Sequence, residues 1–211
     1  MTTNFAQPVI VVDPQGALAQ FAQPVIIYGP NNEPISVGKS AAQSMANAQG
    51  IKTQNFDRQL SAAATIQVSG TLYIMCVPVY RGETYSKVHL CVTAGAAGAF
   101  TFSKCGIWLP DNELISESAD LAQAWDTVGM QVHDIAAFVN ASYDAVYVGF
   151  AGVGTASTFS RSVAGGATAA SANKIGAGMH PFACQTGITD ALPTTLVPIV
   201  ANSLSVWIGL S

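Results

Sequence analysis

Apolar and polar residues alternate in short bursts along most of this chain, and turn chemistry closes each burst. From about Thr65 the bursts are TIQVSGTLYIMCVPVY, SKVHLCVTAG, FTFSKCGIWLP, NELISES, MQVHDIAAFV, DAVYVGFAG, STFSRSV and SLSVWIGL. They are rich in Val, Ile, Thr, Tyr and Phe, which suit a pleated, half-buried surface. The clusters RGET, AGAAG, PDNE and GGATAAS separate them. Many short strands without a long helical period predict an all-β fold, an antiparallel jelly-roll-like β-sandwich over residues 65–211. SADLAQAWDTVG reads as one helical turn or a crossing loop, and GGATAASANKIGAGM as a long surface loop.

The opening is different. Residues 5–20 are FAQPVIVVDPQGALAQ and residues 21–36 are FAQPVIIYGPNNEPIS, so one hexapeptide returns after 16 positions. Each copy sets a β-branched run (PVIVV, PVIIY) before turn residues (DPQG, GPNN), because Pro presets φ and Gly or Asn accepts the positive φ that follows. The unit is strand, tight turn, short return. Two such units cannot enclose a core, so they must stack on something else, either other copies of the chain or a larger assembly. Residues 1–37 are therefore expected to be an extended strand-turn repeat arm or stalk. Phe5, Pro8, Val9, Ile10, Phe21, Pro24, Val25 and Ile26 are its expected contacts with other chains. Residues 38–64 are rich in Ala, Ser, Gln and Asn and read as a connector, with a short helix in SAAQSMANAQ ended by Gly50.

Composition adds one constraint. Half of the 211 residues are hydrophobic and only 9% are charged, against about 25% charged in an ordinary soluble domain. Much of the surface is expected to be covered by copies of the chain or by partners. No apolar run approaches the ~20 residues of a membrane span. MTTNFAQPV carries no basic or apolar leader, so synthesis in a cytoplasm is expected. The net charge is −4, and from Cys105 to Ser160 there are acids (Asp111, Glu113, Glu117, Asp120, Asp126, Asp134, Asp144) but no Lys or Arg. That excludes the basic patch of a nucleic-acid binder. A cation site around DNELISESAD lacks the spacing of a calcium loop, which leaves solvated loop carboxylates as the expected role.

Chemistry is scarce. The four cysteines (76, 91, 105, 184) show no C-x-x-C and no zinc spacing, and are expected as buried thiols. There is no G-x-S-x-G elbow or P-loop, and GVGTAS lacks the third Gly of a dinucleotide loop. His89 and His133 lie in strand-like texture. His133 and Asp134 are adjacent, so on a strand they point to opposite faces and signal no triad. His180 follows the Gly-rich stretch. Nothing picks out the carboxylate pair of a glycosidase. Trp108, Trp125 and Tyr143 suit either sugar stacking or the core. Asn140-Ala-Ser matches a glycosylation acceptor, without a leader to make it meaningful. We expect no catalytic residue, cofactor or metal.

An ordered series of elements runs from about Ser69 to Gly152: Gly70-Thr71-Leu72-Tyr73, Val77-Pro78-Val79, Val88 to Gly95, Gly106-Ile107-Trp108, Asn112-Glu113-Leu114-Ile115, Ser118-Ala119-Asp120, Trp125 to Gly129, and Tyr147-Val148-Gly149. This series resembles the C-terminal β-sandwich domain of tailed-bacteriophage minor structural or minor tail proteins. The resemblance implies a domain type and brings no catalytic motif. With the arm, it implies a homotrimeric, non-enzymatic virion component held to other tail or capsid proteins by residues 1–37. Two roles are open: a tail or head fibre whose outer loops contact a host-surface glycan, or a capsid decoration that stabilises the shell and binds no ligand. The Gly/Ala-rich loop at 165–178 lacks bulky polar groups, which favours the second.

Overall fold

The structure, a computed structural model, describes residues 26–28, 34–36, 46–58, 61, 63–95, 100–121, 125–155, 157–161, 182–196, 200–201 and 205–211. The chain divides into two units, Met1–Ser40 and Ala41–Ser211. In the first, β1 (Ile26–Tyr28) pairs antiparallel with β2 (Pro34–Ser36), so the second repeat forms the expected strand and return. The first repeat lies outside the described residues.

The second unit is an all-β sandwich. Its strands are β3 (Thr53–Gln54), β4 (Ala63–Ile66), β5 (Thr71–Pro78), β6 (Thr84–Ala94), β7 (Phe100–Trp108), β8 (Leu114–Glu117) and β9 (Gly129–Val139). β10 (Ala145–Gly154), β11 (Thr158–Arg161), β12 (Phe182–Thr186), β13 (Val200–Ala201) and β14 (Ile208–Leu210) complete it. One antiparallel sheet runs β13-β12-β5-β10-β7-β8. In the other, β6 is central: β9 lies along one side, and β14 and β11, which carry β3 and β4, lie along the other. The chain changes sheet at nearly every step from β5 to β12, the wrapping expected of a jelly-roll-like sandwich.

The main core fills the space between the sheets. Tyr73, Met75 and Val77 of β5, Val146, Val148 and Phe150 of β10, and Val88, Leu90 and Val92 of β6 meet there, with Trp125 and Phe159. Two smaller cores lie on the outer faces. On the first sheet, Leu72, Ile74, Phe102, Trp108, Tyr147 and Ala151 are covered by Ile188, Leu192 and Leu196 of the segment after β12. On the second sheet, Ala46, Ile51 and Trp207 pack together, with Phe56, Cys91 and Met130 against them. This layering explains why TLYIMCVP and AVYVGFAG read as nearly continuous apolar runs: both faces of β5 and β10 are covered.

Two expectations change. The stretch expected as a connector, 38–64, supplies part of the second unit. A helical turn at 46–48 ends at Gly50, with φ +77°, and β3 pairs with β14. Trp207 donates from Nε1 to Gln54 Oε1 at 3.1 Å, and Asn55 bonds the backbone of Val206 and Ile208. Among its described residues, Thr53–Gln54 and the start of β4 join the sheet and Ala46 and Ile51 cover its outer face, a set too scattered to leave a period. The sandwich also gains β12, which the strand pattern did not mark. Much of the chain's hydrophobicity is spent on three internal cores, and the large hydrophobics exposed among the described residues are Val68, Tyr80, Val128, Val132 and Val139.

Candidate functional site

Of the expected assembly residues, Phe5, Pro8, Val9, Ile10, Phe21, Pro24 and Val25 lie outside the described residues. Ile26 opens β1 opposite Ser36, followed by Ile27 opposite Ile35 and Tyr28 opposite Pro34. The run IIY favours extended backbone, and Pro34 begins the return strand, where a missing N–H costs least. A two-stranded hairpin leaves a row of unpaired backbone groups along each edge.

His89 and His133 are buried and bonded within the fold. His133 faces the core from β9 and is 4% exposed. Its Nε2 accepts the Nε1–H of Trp125 at 2.9 Å. Trp125 is in turn edge-on to Phe100, Phe150 and Phe159, and its carbonyl accepts the Ser157 hydroxyl at 2.8 Å. Burial, then the neighbouring His89, holds His133 down at about 4. His89 lies on β6, with its Nε2 2.8 Å from the Ser211 hydroxyl. Burial, then Lys87, also holds it at about 4. Asp134, one residue after His133, is exposed and paired with Lys87, so the two neighbours point apart as strand alternation requires. No Ser-His-Asp geometry arises from these residues, since Ser157 and His133 both serve Trp125. His180 lies outside the described residues.

The acidic region is divided among separate tasks. Glu117 pairs with Lys104 at 2.8 Å, and Asp144 with Arg81 at 3.5 Å across exposed loops. Asp120 Oδ1 accepts the backbone N–H of Ser103 at 2.9 Å, and Asp111 accepts that of Glu113. Among the described residues, no three His, Cys, Asp or Glu side chains stand close enough to hold a metal ion, and no helix is long and apolar enough to cross a membrane. Of the aromatic candidates, Tyr143 is half-buried against the main core. Trp108 and Trp125 are fully buried and belong to cores, so neither offers a face for sugar stacking. Asn140 is also fully buried. It donates to the Tyr143 carbonyl and accepts the Tyr143 N–H, closing the 140–143 turn with the amide a glycan would need.

The ordered series of motif residues has a shared explanation, which is packing. Gly70 adopts φ +72° and links to Gly152 through its N–H. A side chain on Gly95 would land on the carbonyl of Asp126. Gly106 and Gly149 are direct cross-strand partners beneath the Trp108 ring. Asn112 turns the chain at φ +77° before β8. The Ser118 hydroxyl accepts the Cys105 N–H at 3.0 Å, and Asp120 accepts the Ser103 N–H on the same edge of β7. Trp125 centres the main core, and Gly129 takes φ +127° to open β9. Sequence reading missed the covering segments at 46–58 and 187–196. The signal present was the isolated apolar triplet Ile188, Leu192 and Leu196. A scan against protein-family models finds no match for the chain, and a search of curated proteins finds none either.

Proposed function

We propose that this chain is a non-enzymatic structural component of a tailed-phage virion, a homotrimer that attaches to other virion proteins through its N-terminal arm. The observation that carries this reading is the pairing of β1 with β2 in a unit separate from the sandwich. A lone hairpin is marginal in water and needs further strands or a partner surface. The sequence supplies the same strand-forming hexapeptide again 16 residues upstream. Equivalent segments of three chains, or two equal sites on a symmetric shell or tube, would supply those further strands or that surface.

Within this reading, a decorating role without a ligand draws support from the burial of Trp108 and Trp125 and from the loop carboxylates engaged by Lys104, Arg81 and backbone N–H groups. A fibre-type role would place a host-surface glycan on the outer loops. Light scattering after size exclusion, on the full chain and on residues 41–211, tests the assembly. A trimer that becomes a monomer on truncation supports the arm as the trimerising element. A trimer in both moves the trimer interface into the sandwich, and monomers in both overturn the trimer. Particles lacking the protein separate the roles: lost adsorption to the host supports the fibre, and normal adsorption with fragile particles supports decoration.

A further inference from the structure

We infer that β9 is an acid-released strand: protonation of His133 uncouples β9 from β6 while the β5–β10–β7 centre of the opposite sheet stays paired. The geometry begins at Trp125. Its indole N–H donates to His133 Nε2 at 2.9 Å, and a ring nitrogen that accepts a hydrogen bond carries no proton, so the neutral ring holds its proton on Nδ1. Protonation at Nε2 sets one N–H against another, so one partner must leave.

Trp125 is the better anchored of the two. Phe100, Phe150 and Phe159 surround its ring with centroids 5.4, 5.6 and 5.4 Å away. Ser157 holds its carbonyl. His133 sits on a strand that, among the described residues, forms a ladder on one side only, with β6 from Thr84–Val139 to Val92–Gly129. On its other side β9 has the single bridge from Ile135 to Ser118 and the hydroxyl bond from Ser116 to the Ala136 carbonyl. The strand therefore yields and the indole stays.

His89 lies on the facing strand but on the other face of the sheet: it stands opposite Val132, beside the Val88–His133 pair that faces the core. It is buried and bonded to the Ser211 hydroxyl on the β14 side of β6. The charged groups that bear on the His133 ring are Asp134 on β9, which pairs with Lys87 on β6, and the second histidine once protonated. Asp134 favours a new positive charge at His133 and the second histidine opposes it. Burial is the largest influence on His133, and it holds the ring at about 4 against the ordinary 6.5. Release returns this ring to water, so proton uptake favours the open strand as pH falls from 6.5 to 4. The open population rises about tenfold per pH unit in that window.

Residue-resolved amide exchange of the full chain between pH 7 and pH 4 tests this, with protection factors normalised for intrinsic exchange. Protection at Val132–Phe138 is expected to fall about 10-fold per unit below pH 6, with Met75 and Val148 unchanged. His133→Gln keeps an acceptor for Trp125 without titrating and is expected to remove that slope. His89→Gln, on the other face of the sheet, is expected to leave it. Carbon-13 shifts of the His133 ring in the unaltered protein give a reading that depends on no variant. The shifts are expected to report an Nδ1–H ring at pH 7 that titrates only as β9 opens. Parallel loss of protection in β9 and β10, a slope unchanged by His133→Gln, or a His133 that titrates near 6.5 with β9 still protected would each overturn the inference.

Discussion

Gly149 stands directly opposite Gly106 across β10 and β7, and the indole of Trp108 fills the space where both side chains would be. A Cβ on Gly149 would lie 2.7 Å from the Tyr73 carbonyl oxygen, which is fixed backbone. A Cβ on Gly106 would meet the Trp108 ring at 2.8 Å and the end of Leu192 at 2.9 Å. Side chains can shift and a ladder carbonyl cannot. Gly149→Ala is therefore expected to cost about 3 kcal/mol and Gly106→Ala about 1–2 kcal/mol. Guanidinium unfolding midpoints check the order, and a Gly106 variant the less stable of the two would refute it.

Ser118 and Asp120 cap edge-facing N–H groups of β7 where β8 ends. Ser118 Oγ accepts from Cys105 and Asp120 Oδ1 from Ser103, in place of a strand partner. Ser118→Ala leaves the Cys105 N–H buried without an acceptor, at a cost of about 1–3 kcal/mol. The expected result is a Tm several degrees lower by calorimetry. Ser118→Thr, which keeps the oxygen, is expected to recover part of the loss.

The cysteines divide by environment. Cys105 is fully buried, and burial pushes its thiol far above the usual range. Cys76, on the outer face of β5, is raised by burial to about 11. At pH 8 the thiolate fraction of such a group is on the order of 0.001. Iodoacetamide with mass-spectrometric mapping is expected to leave Cys105 unlabelled and Cys76 labelled very slowly until denaturant is added. Prompt labelling of Cys105 in the folded protein would contradict the core placement.

Acid sensitivity of the whole fold follows from the same two histidines. Both are held at about 4 in the folded protein, below the ordinary 6.5. The unfolded chain therefore binds more protons between those values, and stability falls as pH drops through that window. By pH 4.5 the loss is about 2 kcal/mol per histidine. Urea unfolding at pH 7, 5.5 and 4.5 measures it, and the His89→Gln, His133→Gln double variant is expected to flatten the profile. An equal fall in that variant would assign the acid loss to other groups.

The strands of the sandwich were largely legible in the chain. From GTLYIMCVP to DAVYVGFAG the expected strands stand where β5 to β10 form, because alternation and β-branched residues act within a few residues. The second repeat also reads as the β1–β2 hairpin it forms, since Pro, Gly and Asn act locally. Less was legible where burial comes from a distance. Trp108 and Trp125 were equally suited to a sugar site or a core, and residues 46–58 resembled a linker. Trp108 is buried by Leu192 and Pro193, more than 80 residues away, with its Nε1 donating to the Pro193 carbonyl. Ile51 is buried by Trp207, near the other end of the second unit.

The sequence by itself determined the all-β class, most of the strands and the β1–β2 hairpin of the second repeat. Each of these rests on composition or on short-range pattern. Tertiary structure alone decided which strands are covered on both faces, that the segment at 46–58 is a layer of the sandwich, and that the motif glycines make room for Trp108 and for the Asp126 backbone. It also decided that His133 serves Trp125. The physical reason is that a covering segment contributes a few scattered contacts, and scattered contacts leave no period in the chain that makes them.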